Sequence, residues 1–383
     1  MLGHWWIDPA ELNDEQRGAL TLPEDESHLV TGPPGSGKTN LLVLRATQII
    51  RGGKPNLKLL VFNRTLEEFI ANNPTPYALP RENIKTFRRW EMELIHQLGG
   101  TPSKSTSFHE SRLEDCRNLR SLCESQKIWH VHDLILLDEV QDYLDEEIEL
   151  VLRLGKTIFA AGDDRQSIYS TTTPMAILED HCNLHSLSFH YRNGRKICEL
   201  ADQIGKSWTD YIPLCDHSQY NEKDNPSKVQ SFRCRDIEEQ GKQIVQSLRT
   251  QLTAFPGEML GVMCPLRDDL EVVRAAFTGT DLAPHVVYQN SDEGYLPFGS
   301  ATRICLCTLH SAKGLEFRAA HLAGTDGFRK FRDRQRKMAY TAVTRAKTSL
   351  TVYDCGSPPA FIEGALAALA PHRKPKIDDL FKA

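Results

Sequence analysis

A chain of 383 residues, 40% hydrophobic and 25% charged, has the composition of a globular protein long enough for two cores, which sets aside disordered and fibrous classes. Its formal net charge of -5 excludes retention on nucleic acid by bulk charge alone, while leaving room for a local basic groove. Its ten cysteines contain no C-x-x-C pair, and Cys305 and Cys307 share one face of a buried strand, so they read as packed, reduced thiols in a cytoplasmic compartment.

Residues 1–6 lack a basic segment followed by an apolar one, and no run of about 18 apolar residues occurs, so neither export nor membrane spanning is expected. Leu12 to Arg17 opens a helix, in which Gln16 reads as an ordinary solvated residue. His28 to Thr31 is a short buried strand. It runs into Gly32, Pro33, Pro34, Gly35, Ser36, Gly37, Lys38 and Thr39, and then into a helix carrying Asn40, Leu41, Leu42 and Leu44. Strand, glycine-rich loop and helix are the context that a Walker A phosphate loop requires. Backbone N–H groups cradle phosphates there, Lys38 bridges the β- and γ-phosphates, and Thr39 offers its hydroxyl to Mg²⁺.

The helix stops at Gly52-Gly53, and Leu57 to Phe62 forms the next strand, with Asn63, Arg64 and Thr65 at its carboxyl edge. Thr86 to Trp90 mixes cations with aromatics. That suits either a nucleic-acid backbone with a stacked base or a helix with a core Phe and Trp. Leu134 to Leu137 is a continuous apolar strand ending in Asp138-Glu139, the Walker B pattern, in which Asp138 serves Mg²⁺ and Glu139 polarises the attacking water. Thr157 to Ala161 is another strand, followed by Gly162 to Tyr169, where Gln166 can sense a γ-phosphate and Tyr169 can face a base.

After Phe189 to Gly194 a helix runs through Ile197 and Leu200, and the βα rhythm restarts. Strands are expected at Val229 to Cys234, Met259 to Cys264, Arg303 to Cys307, Ala319 to Ala323 and Ser349 to Tyr353. The basic segment Arg329 to Lys337 reads as a solvated helix face before a binding patch. Asn221 to Ser227 is a polar loop, and the residues from Pro371 form a loose tail.

In order, these stretches resemble the superfamily 1 helicases of the UvrD/Rep/PcrA type, from Leu12 to about Lys347. The resemblance implies an α/β protein of two RecA-like P-loop NTPase domains with parallel sheets. The first, 1–186, carries motifs Q, I, Ia, Ib, II and III with a reduced helical insertion at about 91–132, and the second, 187–383, carries motifs IV, V and VI. It makes Gln16 the adenine reader, Arg192 and Arg345 arginine fingers, and Gly314 and Glu316 part of the nucleotide site. ATP and Mg²⁺ are implied, with single-stranded DNA (RNA remaining open) on Phe62, Asn63, Thr86, Arg88, Tyr169, Thr308 and His310. Movement from 3′ to 5′ and a protein partner such as a nuclease or scaffold follow from the same likeness.

The departures bear on output. Chain length between Tyr288 and Arg303 permits only a loop where such relatives carry the 2B domain, and Ser170 stands where a base-stacking Trp follows the motif III Tyr. Arg165 and Arg88 replace an acidic residue and a His, and Gly324 to Arg336 is too short for a strand-separating hairpin. Translocation on a single strand with weak or partner-dependent unwinding is therefore the first expectation. A nucleic-acid-gated ATPase switch acting on a partner is the second. A small-molecule phosphotransferase leaves the motif V and VI stretches unexplained.

Overall fold

The computed structural model describes residues 6–72, 75–105, 107–163, 174–209, 211–290, 294–295, 298–299, 301–328 and 333–369. In the first half, strands β1 (His28–Thr31), β2 (Leu57–Val61), β3 (Ile84–Thr86), β4 (His132–Leu137), β5 (Gly155–Gly162) and β6 (Asn183–Ser186) form one sheet, ordered β3-β2-β4-β5-β1-β6. Every pairing in it is parallel. Seven helices accompany them: α1 (Asp14–Leu20), α2 (Lys38–Arg51), α3 (Arg64–Ala71), α4 (Phe87–Gln97), α5 (Phe108–Gln126), α6 (Asp145–Leu154) and α7 (Pro174–Glu179).

The second sheet takes β7 (Lys228–Arg233), β8 (Leu260–Cys264), β9 (Val286–Asn290), β10 (Gly294–Tyr295), β11 (Ile304–Thr308), β12 (Phe317–Leu322) and β13 (Ala346–Asp354), ordered β10-β9-β11-β8-β12-β13-β7. Its helices are α8 (Arg195–Gly205), α9 (Ile237–Ala254), α10 (Arg267–Ala275), α11 (Asp333–Val343) and α12 (Ala360–Leu369). Two RecA-like α/β units are the result. Six strands of the second sheet run parallel, and β10 alone pairs antiparallel, onto β9. The stretch expected as a loop after Tyr288 thus extends β9 and turns back as a short hairpin.

Central strands are readable because both faces are covered. Ile135, Leu136 and Leu137 are fully buried, as are Cys305, Leu306 and Cys307 of β11. The Cys307 thiol, hydrogen-bonded to the free thiol of Cys305 and shut away from water, is pushed well above its ordinary range. β3 and β6 were not foreseen. The first has three residues, and the second sits at the sheet edge with Asn183, Leu184 and Ser186 exposed, so neither shows a continuous apolar run.

The helical insertion is α4 and α5 packed together and against α6. Ser107 caps α5 by accepting from Glu110 N, and Arg112 carries the attachment. Its guanidinium reaches both oxygens of buried Glu147 on α6 and donates to the Asp142 carbonyl at 3.0 Å, while Glu147 also accepts from Leu144 N at 2.9 Å. The chain then leaves β6 for the second sheet through residues 187–194, which Leu187 N starts by donating to Thr31 O. Asn193 ends that crossing. Its amide donates to the Thr344 and Ala346 carbonyls, fixing the crossing to the start of β13.

Two histidines, one buried and one half-buried, give the fold a pH signature. His321 of β12 lies between the Tyr353 hydroxyl and the Gln251 amide and is pushed down to about 3 by burial; His132 of β4 is pushed down to about 4, chiefly by burial and then by Lys58. A histidine whose folded pKa is depressed binds its proton more readily when unfolded. Its contribution is therefore complete above the unfolded value near ~6.5 and is lost as pH falls toward the folded one. Urea midpoints measured from pH 7 to pH 4 should fall steeply below about 6, and His321→Gln, which carries no titrating ring, should flatten that fall.

Candidate nucleotide site between the two sheets

The phosphate loop leaves β1 and turns through Ser36 N donating to Pro33 O. Gly35 and Gly37 take φ values of 80° and 90°, which side-chain-bearing residues avoid, and both have close neighbours. A Cβ on Gly35 would lie 2.5 Å from Arg192 Cβ, and one on Gly37 would lie 2.8 Å from Gln16 Nε2. Lys38 opens α2 and folds its ammonium back into the loop, donating to the Gly32 and Pro33 carbonyls at 2.7 and 3.0 Å. Thr39 Oγ1 donates to Asp138 Oδ2 at 2.7 Å, joining the loop to the end of β4.

Burial, and then the neighbouring Glu139 charge, push the Asp138 carboxyl up to about 7. Glu139 moves the other way. Burial alone would raise it, but Lys313, Arg345 and Lys38 together draw it below its ordinary value. Its backbone sits at φ 53°, in the left-handed region. Hard oxygen donors on Thr39 and Asp138, beside a second carboxylate and an ammonium held inside a glycine-rich loop, fit a magnesium-nucleotide.

Across the cleft, Arg192 lies in the crossing segment, pairs with Glu316 and points Nη1 at the Thr344 carbonyl. Lys347 holds the other oxygen of Glu316 at 3.0 Å. Although burial acts against it, these two cations hold the Glu316 carboxyl at about 2. Arg345 is buried, donates to the Thr341 and Leu315 carbonyls, and is lowered to about 10 by burial and by Arg192, so it stays charged at neutral pH. One cavity is lined by Gly35, Gly37, Lys38, Thr39, Asn40, Asp138 and Glu139 from the first half and Arg192, Gly314, Glu316 and Arg345 from the second.

The halves also touch directly. Lys313 Nζ meets Asp142 Oδ2 at 2.5 Å with the two side chains 1% and 0% exposed, and Asn63 Nδ2 donates to the Lys313 carbonyl at 2.8 Å. Gly314 follows at φ 80°, where a Cβ would press on Leu66 at 2.7 Å. Tyr191 closes another side: its N–H donates to Gly35 O and its hydroxyl bonds the Asn13 amide.

Other expected site residues lie differently. Gln16 is buried, its Oε1 accepting from Asn13 N at 3.1 Å in a helix cap and its Nε2 donating to Ser36 O at 2.9 Å, so both ends of the amide are taken inside the chain. Asn40 accepts from Ile7 N. Arg88 pairs with Glu91 and Asp115 and donates to Ser111, so its guanidinium is engaged by the insertion in this arrangement. Thr86 is buried and caps α4, and Asn63 caps α3 while reaching Lys313. Phe62 is half-buried, edge-on to Tyr143 and under Arg112. Thr308 donates to Ser311 Oγ, and His310 is pushed down to about 4 by burial, Arg334 and Lys313, so it is neutral. Gln166, Tyr169, Arg165 and Ser170 lie outside the described residues, as does the tail from Pro371. Tyr191, Gln141, Asp142, Lys313 and Lys347 carry contacts that no role had been assigned to. All but Lys347 stand inside the motif stretches, but spacing does not say which side chain of one sheet meets the other.

A family profile described as an AAA domain matches residues 16–172, and one described as the UvrD-like helicase C-terminal domain matches residues 303–353. Together they span the two faces of the cleft in the order that the motifs require. The chain belongs to the UvrD-like helicases of superfamily 1. No curated protein matches it. Among solved structures, this UvrD-like helicase is similar to the PRRSV helicase at 17% identity and TM-score 0.41, covering 88% of this chain and 54% of that one. It is also similar to the Arterivirus nonstructural protein 10 helicase, at 17% identity and TM-score 0.41 (92% and 63%), and to its complex with DNA, at 17% and 0.40 (92% and 65%). The chain thus spans between about half and two thirds of the length of these proteins.

In this helicase the Lys313–Asp142 pair is the contact with most at stake. Lys313→Met strands a buried carboxylate and should cost roughly 3–5 kcal/mol, whereas Lys313→Met with Asp142→Leu should recover most of it. Urea denaturation of the three proteins reads both effects.

Proposed function

We propose that this helicase is a nucleic-acid-dependent ATPase that translocates along single-stranded DNA, hydrolysing ATP between lobes 1–186 and 187–383, with unwinding weak or dependent on a partner. The observation that carries the reading is the single cavity onto which Lys38, Thr39, Asp138 and Glu139 converge from one sheet and Arg192 and Arg345 from the other. Lys38 exchanges its loop carbonyls for β- and γ-phosphate oxygens. Thr39 and Asp138 are the groups that would hold Mg²⁺, which supplies charge neutralisation at the phosphates when bound.

Glu139 orients the attacking water and takes its proton as the new oxygen–phosphorus bond forms and the β–γ bridge breaks. Arg192 leaves Glu316 for the γ-phosphate, and Lys347 keeps Glu316 from becoming an unpaired buried charge. With the γ-phosphate gone these contacts lapse and the lobes part, which converts turnover into movement. The 3′ to 5′ polarity comes from the family likeness, and the DNA bound in the arterivirus neighbour is consistent with a nucleic-acid track.

One observation favours the second reading, a nucleic-acid-gated switch acting on a partner. Asn63, Thr86 and Arg88, three of the residues expected on the strand, are engaged within the protein. Oligonucleotide length separates the two. For a translocase the ATPase rate on oligo(dT) rises with length until it saturates, and a rate flat beyond the site size removes translocation; oligo(U) run in parallel decides the DNA preference.

Glu139→Gln tests the chemistry. It should keep nucleotide and oligo(dT) binding within about threefold and lose at least about a hundredfold in turnover, and near-normal turnover removes Glu139 from its role.

A further inference from the structure

Gln141 lies two residues beyond Glu139 and is buried. Its amide spans two elements. Nε2 donates to Glu139 Oε2 at 2.5 Å, while Oε1 accepts from the backbone N–H of Asp163 at 3.0 Å, just past the end of β5. Chemistry forces that direction, because a backbone N–H can only donate and an ionised carboxylate can only accept. Space around the amide is closed as well. A Cβ on Gly162 would come within 2.9 Å of Gln141 Oε1 and 2.5 Å of Val140 Cγ2.

Glu139 needs such a tether. Its backbone is at φ 53°, a conformation a glutamate adopts only when its surroundings impose it, and its carboxylate stands in the field of Lys313, Arg345 and Lys38, each of which competes for its direction. Two of those cations belong to the second sheet. Without a fixed neutral donor on its own side, the carboxylate would follow them across the cleft.

We infer that Gln141 is a positioning residue for hydrolysis: its amide holds the Glu139 carboxylate over the phosphate loop and ties that position to the backbone at the end of β5. The inference rests on Glu139 being the carboxylate that activates water. It also gives a structural meaning to Gly162, which leaves the amide its room.

Two isosteric variants separate positioning from space-filling. Gln141→Met keeps the volume and loses both hydrogen bonds. Gln141→Glu keeps an acceptor for Asp163 N–H but sets a like charge against Glu139. If Gln141 positions Glu139, both variants lose about tenfold or more in kcat with oligo(dT), while the affinity for a fluorescent methylanthraniloyl-ATP stays within about threefold. Because Gln141 acts through Glu139, single-turnover hydrolysis by Glu139→Gln/Gln141→Met should be no slower than by Glu139→Gln alone.

A kcat within twofold of the parent in both variants, or an additive loss in the double variant, overturns the inference. Near-normal turnover of Glu139→Gln overturns instead the reading on which it rests. A Gln141→Met chain that does not fold leaves Gln141→Glu to decide by the same kcat and affinity measurements.

Discussion

The cleft is governed by the cost of burying charge, and the Lys313–Asp142 pair states that cost most plainly. Neither side chain reaches water, so the ammonium of one sheet and the carboxylate of the other offset each other's burial at 2.5 Å. The same rule orders the groups nearby. Glu316 sits between Arg192 and Lys347, Glu139 is drawn by three cations, and Lys38 rests on carbonyl oxygens. Each charge in the seam has a provisional partner that a polyphosphate could replace. The site is therefore poised by exchange: an incoming anion meets cations already aligned and held by ligands that they can leave.

This view also explains why the lobes contact where they do. The loop after β11 packs Gly314 against Leu66 and the Lys313 carbonyl against Asn63, so it and the first turn of α3 fit as one surface. Nucleotide on one side of that contact and a nucleic-acid track on the other would share its geometry. Coupling between them then needs no long chain of intermediates.

How much of this was legible in the residues depends on range. The phosphate loop, the Asp138-Glu139 strand end and most interior strands of both sheets are local patterns, each written within about ten consecutive residues, and their positions matched to within three residues, whereas β9 was not expected. β3 and β6 were hidden because short edge strands need no apolar run. The partners of Arg88 were hidden for a different reason: Glu91 is one turn on along α4, but Asp115 is 27 positions away on α5. Gln16 likewise turns to Ser36, 20 positions on. Pairings of that kind are set by how helices land on sheets, which spacing along the chain does not encode.

Glu139 shows what the proposed catalytic arrangement exacts. Chemistry wants a carboxylate at this place, whereas the turn after β4 wants a residue at ease with φ 53°, which is glycine or asparagine. The two demands cannot be met by one amino acid. Selection for heat resistance alone would drift toward the relaxed backbone and away from turnover, so the native glutamate marks a position where robustness has been given up for activity.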